Sequence, residues 1–279
     1  MFQLSFPSEP LSVETLTFAI AGLPKRLQGI TVVQLSDFHY DGWFLSDELL
    51  QQAIEATNRA QPDLVVLTGD YVTVSPQPIE RLAHHLRRLQ SRTGVYAVLG
   101  NHDLEMPDSK RKISNTLMNA GIQVLWNQVA YPLGADLAIV GLADLWSAEF
   151  APAAVFDTLD PTLPRLVLSH NPDSAVQLQQ WRVDLQLSGH THGGQIVIPG
   201  LGAIPSWIHA SRDRIPEALW QWIPFLDAKW PKVVQNWQWA QGLHAVGENW
   251  LYVNRGLGTL PPGRWYCPPE VTVFSFVAR

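Results

Sequence analysis

Cysteine is nearly absent from this chain of 279 residues, which contains only Cys267. A lone cysteine cannot form a disulfide within the chain, and this suits a reducing compartment. Long hydrophobic runs are missing too, since no stretch approaches the roughly 20 apolar residues of a membrane-spanning helix. The N-terminal stretch also lacks the basic start and apolar core of a signal peptide. We therefore expect a cytoplasmic protein and leave open a peripheral contact at the inner face of the membrane.

Positive charge is in short supply as well. The chain has 19 Lys and Arg against 25 Asp and Glu, which gives a net charge of −6. Nucleic-acid-binding domains are usually basic, so we expect no nucleic-acid partner. Hydrophobic residues make up 46% and charged residues 16% of the chain, the balance of a globular protein. Its length is enough for one large domain or two small ones, and we expect a single domain, 1–279.

Most apolar residues lie in short runs that each end in a polar or glycine-rich turn. The runs are "ITVVQLSDFH", "DLVVLTGD", "VYAVLGNHD", "LAIVGLAD", "RLVLSHNPD", "DLQLSGHTH" and "WLYVNRGLG". Their β-branched and leucine content predicts strands buried on both faces. Between several runs the apolar residues follow a helical period, and Ser46 is a potential N-cap for one such helix. Strands alternating with helices predict a layered α/β architecture.

Tryptophan is concentrated in one stretch of the chain. Six of the 12 tryptophans fall between Pro205 and Gly242, where prolines interrupt short helical pieces. We expect this Trp-rich segment, 205–242, to be a helical insertion in the single domain. Two interpretations stay open: a cap whose indoles pack on the core, or a lid that contacts acyl chains or the membrane surface.

The turns that follow the predicted strands hold side chains with carboxylate, imidazole and amide groups. They are Asp37, His39, Asp70, Asn101, His102, Asp103, His170, His190 and His192. In open α/β sheets, ligands gather at the carboxyl ends of the strands. This donor set suits Mn, Fe or Zn, whereas Mg alone would favour oxygen ligands. The sequence therefore predicts a metal site built from several turns.

The spacing of these residues favours two metals rather than one. Two of the turns have the form Asp-x-His or His-x-His, and side chains two apart point the same way as the chain leaves a strand. Asp70 is the only carboxylate in its turn, and Gly69 before it allows a close approach. A single aspartate between two ligand sets suits a bridge between metals about 3.5–4 Å apart, which can clamp a phosphate and activate a water.

The ordered motifs "SDFH", "GDYV", "GNHD", "SHNPD" and "GHTHGG" resemble the calcineurin-like metallophosphoesterases over about residues 34–196. The closing phrases "VNRGLGTL" and "RWYCPPEV" are similar to a bacterial branch of that family. That branch includes membrane-associated phosphoesterases and UDP-2,3-diacylglucosamine pyrophosphatases of lipid A synthesis. The resemblance implies a four-layer αββα sandwich of two mixed β-sheets flanked by helices. The strand pattern alone predicts α/β layers without the second sheet.

The resemblance also implies two divalent metal ions, manganese first, with iron or zinc as alternatives. One metal would be held by Asp37, His39, Asp70 and His192. The other would be held by Asp70, Asn101, His170 and His190. His102 would not ligate; beside Asn101 at the catalytic centre, it would stabilise or protonate the leaving oxygen. The nucleophile would be a hydroxide that bridges the metals.

One stretch departs from the pattern of the protein Ser/Thr phosphatases. In those relatives the "GDYV" position is followed by Asp-Arg-Gly, whose aspartate supports the catalytic histidine. Here residues 73–75 are "TVS". This disfavours a protein phosphatase and leaves the orientation of His102 open, with Asp103 as one hypothesis.

Two further residues are candidates for substrate contact. Arg255 is either part of a salt-bridged turn or a phosphate contact, which its guanidinium geometry suits. Gly193 would leave room for the backbone beside a bound phosphate. Cys267 is expected to be a small buried hydrophobe.

Three functions are compatible with these features. We favour a dinuclear metal-dependent phosphoesterase that hydrolyses a phosphodiester or pyrophosphate bond of a lipid-linked substrate such as UDP-2,3-diacylglucosamine. The second is a soluble phosphodiesterase or phosphatase for nucleotides or small phosphoesters, with a purely structural insertion. The third is a non-catalytic scaffold, which is disfavoured because all the implied ligand positions are filled. The oligomeric state is left open.

Overall fold

The computed structural model describes residues 8–211, 216 and 234–279. The strands within these ranges are β1 (Ser12–Ile20), β2 (Ile30–Leu35), β3 (Leu64–Leu67), β4 (Val95–Ala97), β5 (Ile122–Val124), β6 (Gln128–Ala130), β7 (Ala138–Gly141), β8 (Arg165–Leu168), β9 (Leu185–Ser188), β10 (Val197–Ile198), β11 (Gly202–Ala203), β12 (Gly242–Val246), β13 (Asn249–Val253) and β14 (Glu270–Ala278). The α-helices are α1 (Asp47–Arg59), α2 (Ile79–Leu86), α3 (Ser109–Asn119), α4 (Ala153–Phe156), α5 (Ser174–Leu178) and α6 (Ile204–Ala210).

Twelve of these strands form two mixed sheets of six strands each. The first sheet has the order β1-β14-β2-β3-β4-β5, and β2 to β5 run parallel to one another. The second has the order β12-β13-β9-β8-β7-β6, with β7, β8, β9 and β13 parallel. The strands β10 and β11 pair separately as a short hairpin. Both sheets therefore have a parallel centre whose carboxyl ends can carry a common site.

Side chains alternate along the central strands between an inner and an outer core. In β2, Val32 faces the space between the sheets, and Val33 packs on the side of α1, α2 and α3. In β8, Leu166 faces inward, and Val167 packs on the side of α4 and α5. The predicted αββα sandwich is confirmed. The strand pattern could not reveal the second sheet because a strand buried on both faces looks the same in either sheet.

The local sequence signals explain where the elements begin. All seven continuous apolar runs form strands, namely β2, β3, β4, β7, β8, β9 and β13. The predicted N-cap is present, since the Ser46 side chain accepts a hydrogen bond from the Leu49 N–H at 3.1 Å. Cys267 is buried and unpaired, as predicted. No helix in the described ranges has the length and apolarity to cross a bilayer.

Most of the Trp-rich segment, including Trp220, Trp222 and Trp230, lies outside the described residues. In its described parts, Trp207 of α6 is 60% exposed. Trp237 is buried and packs in a small cluster with neighbours from the same part of the chain. The division into a single domain with an insertion at 205–242 stays a prediction.

Candidate metal centre

The residues predicted as ligands lie where the central strands of both sheets end. The turns after β2, β3 and β4 carry Asp37, His39, Asp70 and Asn101. The turns after β8 and β9 of the other sheet carry His170, His190 and His192. Because the strands are parallel within each sheet, these turns meet at one end of the sandwich.

The backbone is left-handed at five of these seven positions. The φ angles are 51° at Asp37, 43° at His39, 55° at Asp70, 74° at His190 and 51° at His192. Residues other than glycine rarely adopt such angles, although Asp and His do so more often than most. The conformation costs roughly 1–2 kcal/mol per residue. Backbone strain of this kind concentrates at functional sites, and here it falls on the predicted ligands.

Three of the side chains form a first group of donor atoms. The donor atoms of Asp37, His39 and His192 all lie within 4.8 Å of one another. The two histidine Nε2 atoms are 3.0 Å apart, and His192 Nε2 is 3.6 Å from Asp37 Oδ1. Two ligands that bind one ion at about 2.0–2.1 Å are separated by roughly 3.0–3.4 Å, so this group has the dimensions of a metal site.

A second group lies beside the first and is joined to it by Asp70. The Nε2 atom of His170 lies 3.1 Å from Asp70 Oδ2 and 3.1 Å from His190 Nδ1. The same Asp70 Oδ2 is 3.5 Å from His39 Nε2 in the first group. One carboxylate oxygen thus faces both groups, and the bridging role of Asp70 stays a prediction.

Hydrogen bonds orient His170 and His192 toward the centre, and burial keeps His39 and His192 neutral. His170 Nδ1 donates to the Thr68 carbonyl at 2.7 Å, and His192 Nδ1 donates to the Gly258 carbonyl at 3.2 Å. Each Nε2 is thereby directed at the centre. Burial lowers the pKa of His39 to about 3 and that of His192 well below its usual range. Both rings are therefore neutral, which is the form that binds a metal.

The raised pKa of His170 indicates that the carboxylates of the centre need a positive charge beside them. Burial alone would lower its pKa, but the nearby Asp70 carboxylate, with further help from Asp37, outweighs burial and raises the pKa to about 10. A proton is thus held among the carboxylates. Burial also raises the pKa of Asp37 to about 6. A bound cation would replace this proton and stabilise both carboxylates in their charged forms.

Gly100 and Gly189 lie so close to the Asp70 and Asp37 carboxylates that a side chain at either position would collide with them. A Cβ on Gly100 would lie 2.1 Å from Asp70 Oδ1, and one on Gly189 would lie 2.1 Å from Asp37 Oδ2. The Oδ2 atom of Asp37 and the Oδ1 atom of Asn101 are buried and accept no hydrogen bond of normal geometry from the described residues. Buried polar atoms are almost always paired. Buried carboxylate and amide oxygens beside imidazoles fit divalent metal ions.

His102 lies at the edge of this centre. Its Nδ1 atom is 2.6 Å from the Thr73 carbonyl oxygen and 2.9 Å from Glu105 Oε1. Burial alone would lower the pKa of His102, but the carboxylates of Asp70 and Glu105 outweigh it and raise the pKa. The donor atoms of His102, His39 and Asp70 also lie within 4.8 Å of one another. His102 thus faces the centre with a ring that favours protonation.

The hypothesis that Asp103 orients His102 is wrong. The Asp103 carboxylate is fully buried and accepts hydrogen bonds from the backbone N–H groups of Asp70, Tyr71 and Gly100, each at 2.9 Å. It therefore ties the turn after β3 to the turn after β4. Burial, with the Asp70 charge, raises its pKa to about 7. The partners of His102 are Thr73 and Glu105, which the sequence reasoning did not single out.

The two predicted substrate contacts are occupied by protein atoms. The Arg255 guanidinium lies 2.6 Å from Glu14 Oε1 and 3.0 Å from Glu270 Oε2, which is the salt-bridged alternative. A Cβ on Gly193 would lie 2.6 Å from Cys267 Sγ. The room that this glycine leaves is filled by packing inside the protein. Substrate contact by either residue stays a prediction.

A pocket of about 170 Å³ opens onto the metal centre. Besides Asp70, Asn101 and the histidines, it is lined by Trp146, Pro205, Trp237 and Leu260. The Trp146 ring stands edge-on to His190, with ring centroids 4.9 Å apart. Pro205 and Trp237 belong to the segment 205–242, for which the sequence left a lid open as one interpretation, whereas Trp146 and Leu260 had no signal in the sequence.

Asp144 is another residue that the sequence reasoning missed. It follows β7 at the end of "LAIVGLAD", the same pattern that flagged Asp37 and Asp70. It is buried, and burial raises its pKa. Its charge acts on His170. The recurring pattern of an apolar run followed by aspartate could have identified it.

Comparison with known proteins agrees with this arrangement. Residues 30–194 match the family model described as calcineurin-like phosphoesterase. Phosphodiesterase YaeI of Escherichia coli is 32% identical over 96% of this chain and 90% of its own length. UDP-2,3-diacylglucosamine pyrophosphatase LpxG of Chlamydia trachomatis is 30% identical over 89% of this chain and 85% of its own. A solved crystal structure at 11% identity covers 82% of this chain and 91% of its own with a TM-score of 0.51, which shows a shared fold.

Proposed function

Because the chain belongs to the calcineurin-like phosphoesterase family and is a hydrolase of phosphoric esters, we propose that it cleaves phosphodiester or pyrophosphate bonds at a dinuclear metal centre. The observation that carries the proposal is the pair of donor groups that share Asp70 Oδ2. Asp37, His39 and His192 would hold one divalent ion with Asp70. His170, His190 and Asn101 would hold the second with the same aspartate.

Divalent ions at this centre would neutralise the charge of the phosphate and activate a water for attack. The residues of the chain have separate tasks. Asn101 presents an unpaired amide oxygen to the centre. His102, whose Nδ1–H is held by the Thr73 carbonyl and Glu105, can present a protonated Nε2 to the leaving oxygen. The proton passes from His102 to the departing alkoxide or phosphate, and the proton that the attacking water gives up restores His102, so that one water is consumed per bond cleaved.

Within this reaction class we favour a lipid-linked substrate such as UDP-2,3-diacylglucosamine. Two observations support it: the similarity to LpxG, and the apolar residues Trp146, Trp237 and Leu260 at the pocket. A soluble phosphodiesterase for nucleotides or small phosphoesters is the second candidate, favoured by the similarity to a relative named phosphodiesterase. We propose manganese as the metal, with iron or zinc as alternatives, because the donor set combines imidazoles with carboxylates. We also propose a cytoplasmic site of action with peripheral membrane contact.

One parallel assay separates these candidates. Protein reconstituted with Mn²⁺, Zn²⁺ or Fe²⁺ is tested on UDP-2,3-diacylglucosamine, a simple phosphodiester and a phosphomonoester at equal concentrations. The lipid-linked proposal predicts the highest kcat/KM for the first substrate. A higher value for the simple diester would favour the soluble phosphodiesterase. Lack of turnover on all three substrates in every metal form would contradict the proposed reaction.

A further inference from the structure

One side of the pocket at the metal centre is apolar. Pro205 of α6, Trp237 and Leu260 line it, and the described lining there carries no charged side chain. Trp237 is only 5% exposed. A phosphodiester has two ester groups on its phosphorus, so a phosphate at the metal ligands can direct one of them to this side.

The segment that carries Trp237 is tied to a metal-ligand turn by Asp173. One carboxylate oxygen of Asp173 accepts from the Gln235 N–H at 2.6 Å. The other accepts from the Asn236 N–H at 3.0 Å and from the Asn236 side chain at 2.8 Å. Asp173 is 7% exposed and follows His170 by three residues. The position of Trp237 is therefore coupled to the turn that supplies His170.

Two more hydrogen bonds fix the same segment. Thr191 lies between His190 and His192, and its hydroxyl donates to the Ala240 carbonyl at 2.6 Å. The Ser206 hydroxyl of α6 donates to the Trp237 carbonyl at 2.5 Å. The backbone is thus held before, at and beyond Trp237. These bonds hold the residues on both sides of Trp237 against the two ligand turns and so fix the place of its indole at the pocket.

Building on the proposed function, we propose that Trp237, Pro205 and Leu260 form an apolar subsite for one ester group of the substrate, and that Asp173 is its positioning residue. The subsite takes an alkyl or acyl-bearing group attached through oxygen to the phosphorus. Each methylene buried there strengthens binding roughly fourfold. Substrates are then selected by the ester group beside the phosphate as well as by the phosphate itself.

The test compares two diesters with the same leaving group, 4-nitrophenyl methyl phosphate and 4-nitrophenyl hexyl phosphate, on the Mn²⁺-loaded protein. In the wild type we expect a KM at least tenfold lower for the hexyl ester. Trp237→Ala and Asp173→Ala should each lower the ratio of the methyl-ester KM to the hexyl-ester KM about tenfold, with metal content unchanged. Ser206→Ala, which is further from the ligands, should shrink it less. The matched control is Asp160→Ala, an exposed aspartate bonded to Thr162, which should keep the wild-type preference.

The subsite would be overturned if Trp237→Ala raised KM equally for both esters, or if it left the ratio of the two KM values at the wild-type value. An effect of Trp237→Ala without one of Asp173→Ala would overturn the positioning role. Calorimetric binding of methylphosphonate and hexylphosphonate provides a readout without turnover, with the same tenfold preference expected. If the wild type cleaves neither ester yet binds hexylphosphonate tightly through Trp237, the proposed function fails and the subsite stands. If it cleaves both without preference, the subsite fails alone.

Discussion

Two polar clusters that each contain a buried carboxylate lie close together in this sandwich, and they balance their charge in different ways. In the Arg255 cluster, formed by Glu14, Arg255 and Glu270, the guanidinium contacts both carboxylates. Glu270 Oε1 also accepts from the Tyr252 hydroxyl at 2.7 Å. In the metal centre, the carboxylates face imidazoles, and Asp37 Oδ2 accepts no hydrogen bond of normal geometry from the described residues.

The difference shows how a structural cluster can be told from a functional one. A buried carboxylate needs a positive partner or a full set of hydrogen bonds. The chain itself supplies that partner to Glu270, which makes the Arg255 cluster self-sufficient. In the metal centre His39 and His192 are neutral, and the carboxylates are balanced by a proton held with His170, which a bound cation would replace. Variants of the two clusters should therefore fail in different ways.

The largest effect is expected for Asp70→Asn. The shared oxygen faces both donor groups, so its replacement by an amide should remove metal and turnover together. We expect less than one metal ion per chain and a fall in kcat/KM of about a thousandfold, the upper end of the effect seen when one catalytic electrostatic group is removed. Metal analysis alongside a diester assay checks this. Two bound metals with near-normal turnover would contradict a bridging Asp70.

His102→Ala should be the next largest in effect. Both metals should remain, while kcat falls about a hundredfold, the usual contribution of a positioned acid. Glu105→Gln keeps the size of the side chain but weakens its pull on His102, so a smaller loss, roughly tenfold, is expected. Metal content and kcat are measured in both variants. Wild-type turnover in the His102 variant would remove it from the mechanism.

Arg255→Met should affect stability and leave catalysis largely intact. The change removes the positive partner of the Glu270 carboxylate, which is 1% exposed. Removing one partner of a buried ion pair lowers the free energy of unfolding by roughly 3–5 kcal/mol. Denaturant unfolding measures this loss, and KM for a phosphodiester should stay within about twofold. A large rise in KM with normal stability would instead establish Arg255 as a phosphate contact.

The smallest effect is expected for Glu14→Gln. Glu14 is partly exposed, so its pair with Arg255 contributes roughly 0.2–1 kcal/mol. The hydrogen bond from Arg255 lowers the pKa of Glu14 below its ordinary value. The contribution is therefore complete above the ordinary pKa and disappears as the pH falls through the lowered one. Unfolding curves from pH 7 to pH 3 should show the wild type and variant converging in acid; a constant gap would contradict the pairing.

The parts of the site that the sequence could predict are those set by strand ends. A strand followed by Asp or His places that side chain at the sheet edge whatever the rest of the chain does, which is why the seven ligand positions meet. The partner of His102 could not be read the same way, since Glu105 reaches it only through the short helical turn after β4. The neighbouring Asp103 looked equally suitable as a partner of His102, but both of its carboxylate oxygens accept hydrogen bonds from backbone N–H groups.

The apolar side of the pocket, in contrast, could not be predicted from strand ends. Leu260 and Trp237, the latter in a short 3-10 helix, both line the pocket beside the ligand turns, and no periodicity or spacing connects them. The second sheet was likewise invisible in the strand pattern and came only from the family resemblance. Tertiary contacts between distant segments, rather than local chemistry, decide these features.

The left-handed backbone of the ligand residues places stability and activity in opposition. A ligand such as Asp37, held at φ 51°, would relax its local strain if it were replaced by glycine, which adopts that angle freely. Asp37 also accepts a hydrogen bond from the His190 N–H at 2.8 Å, so selection for the stability of the metal-free protein would favour replacing a ligand wherever its strain costs more than such bonds contribute. At those positions, the features that make this end of the sandwich reactive are those that a search for stability alone would remove.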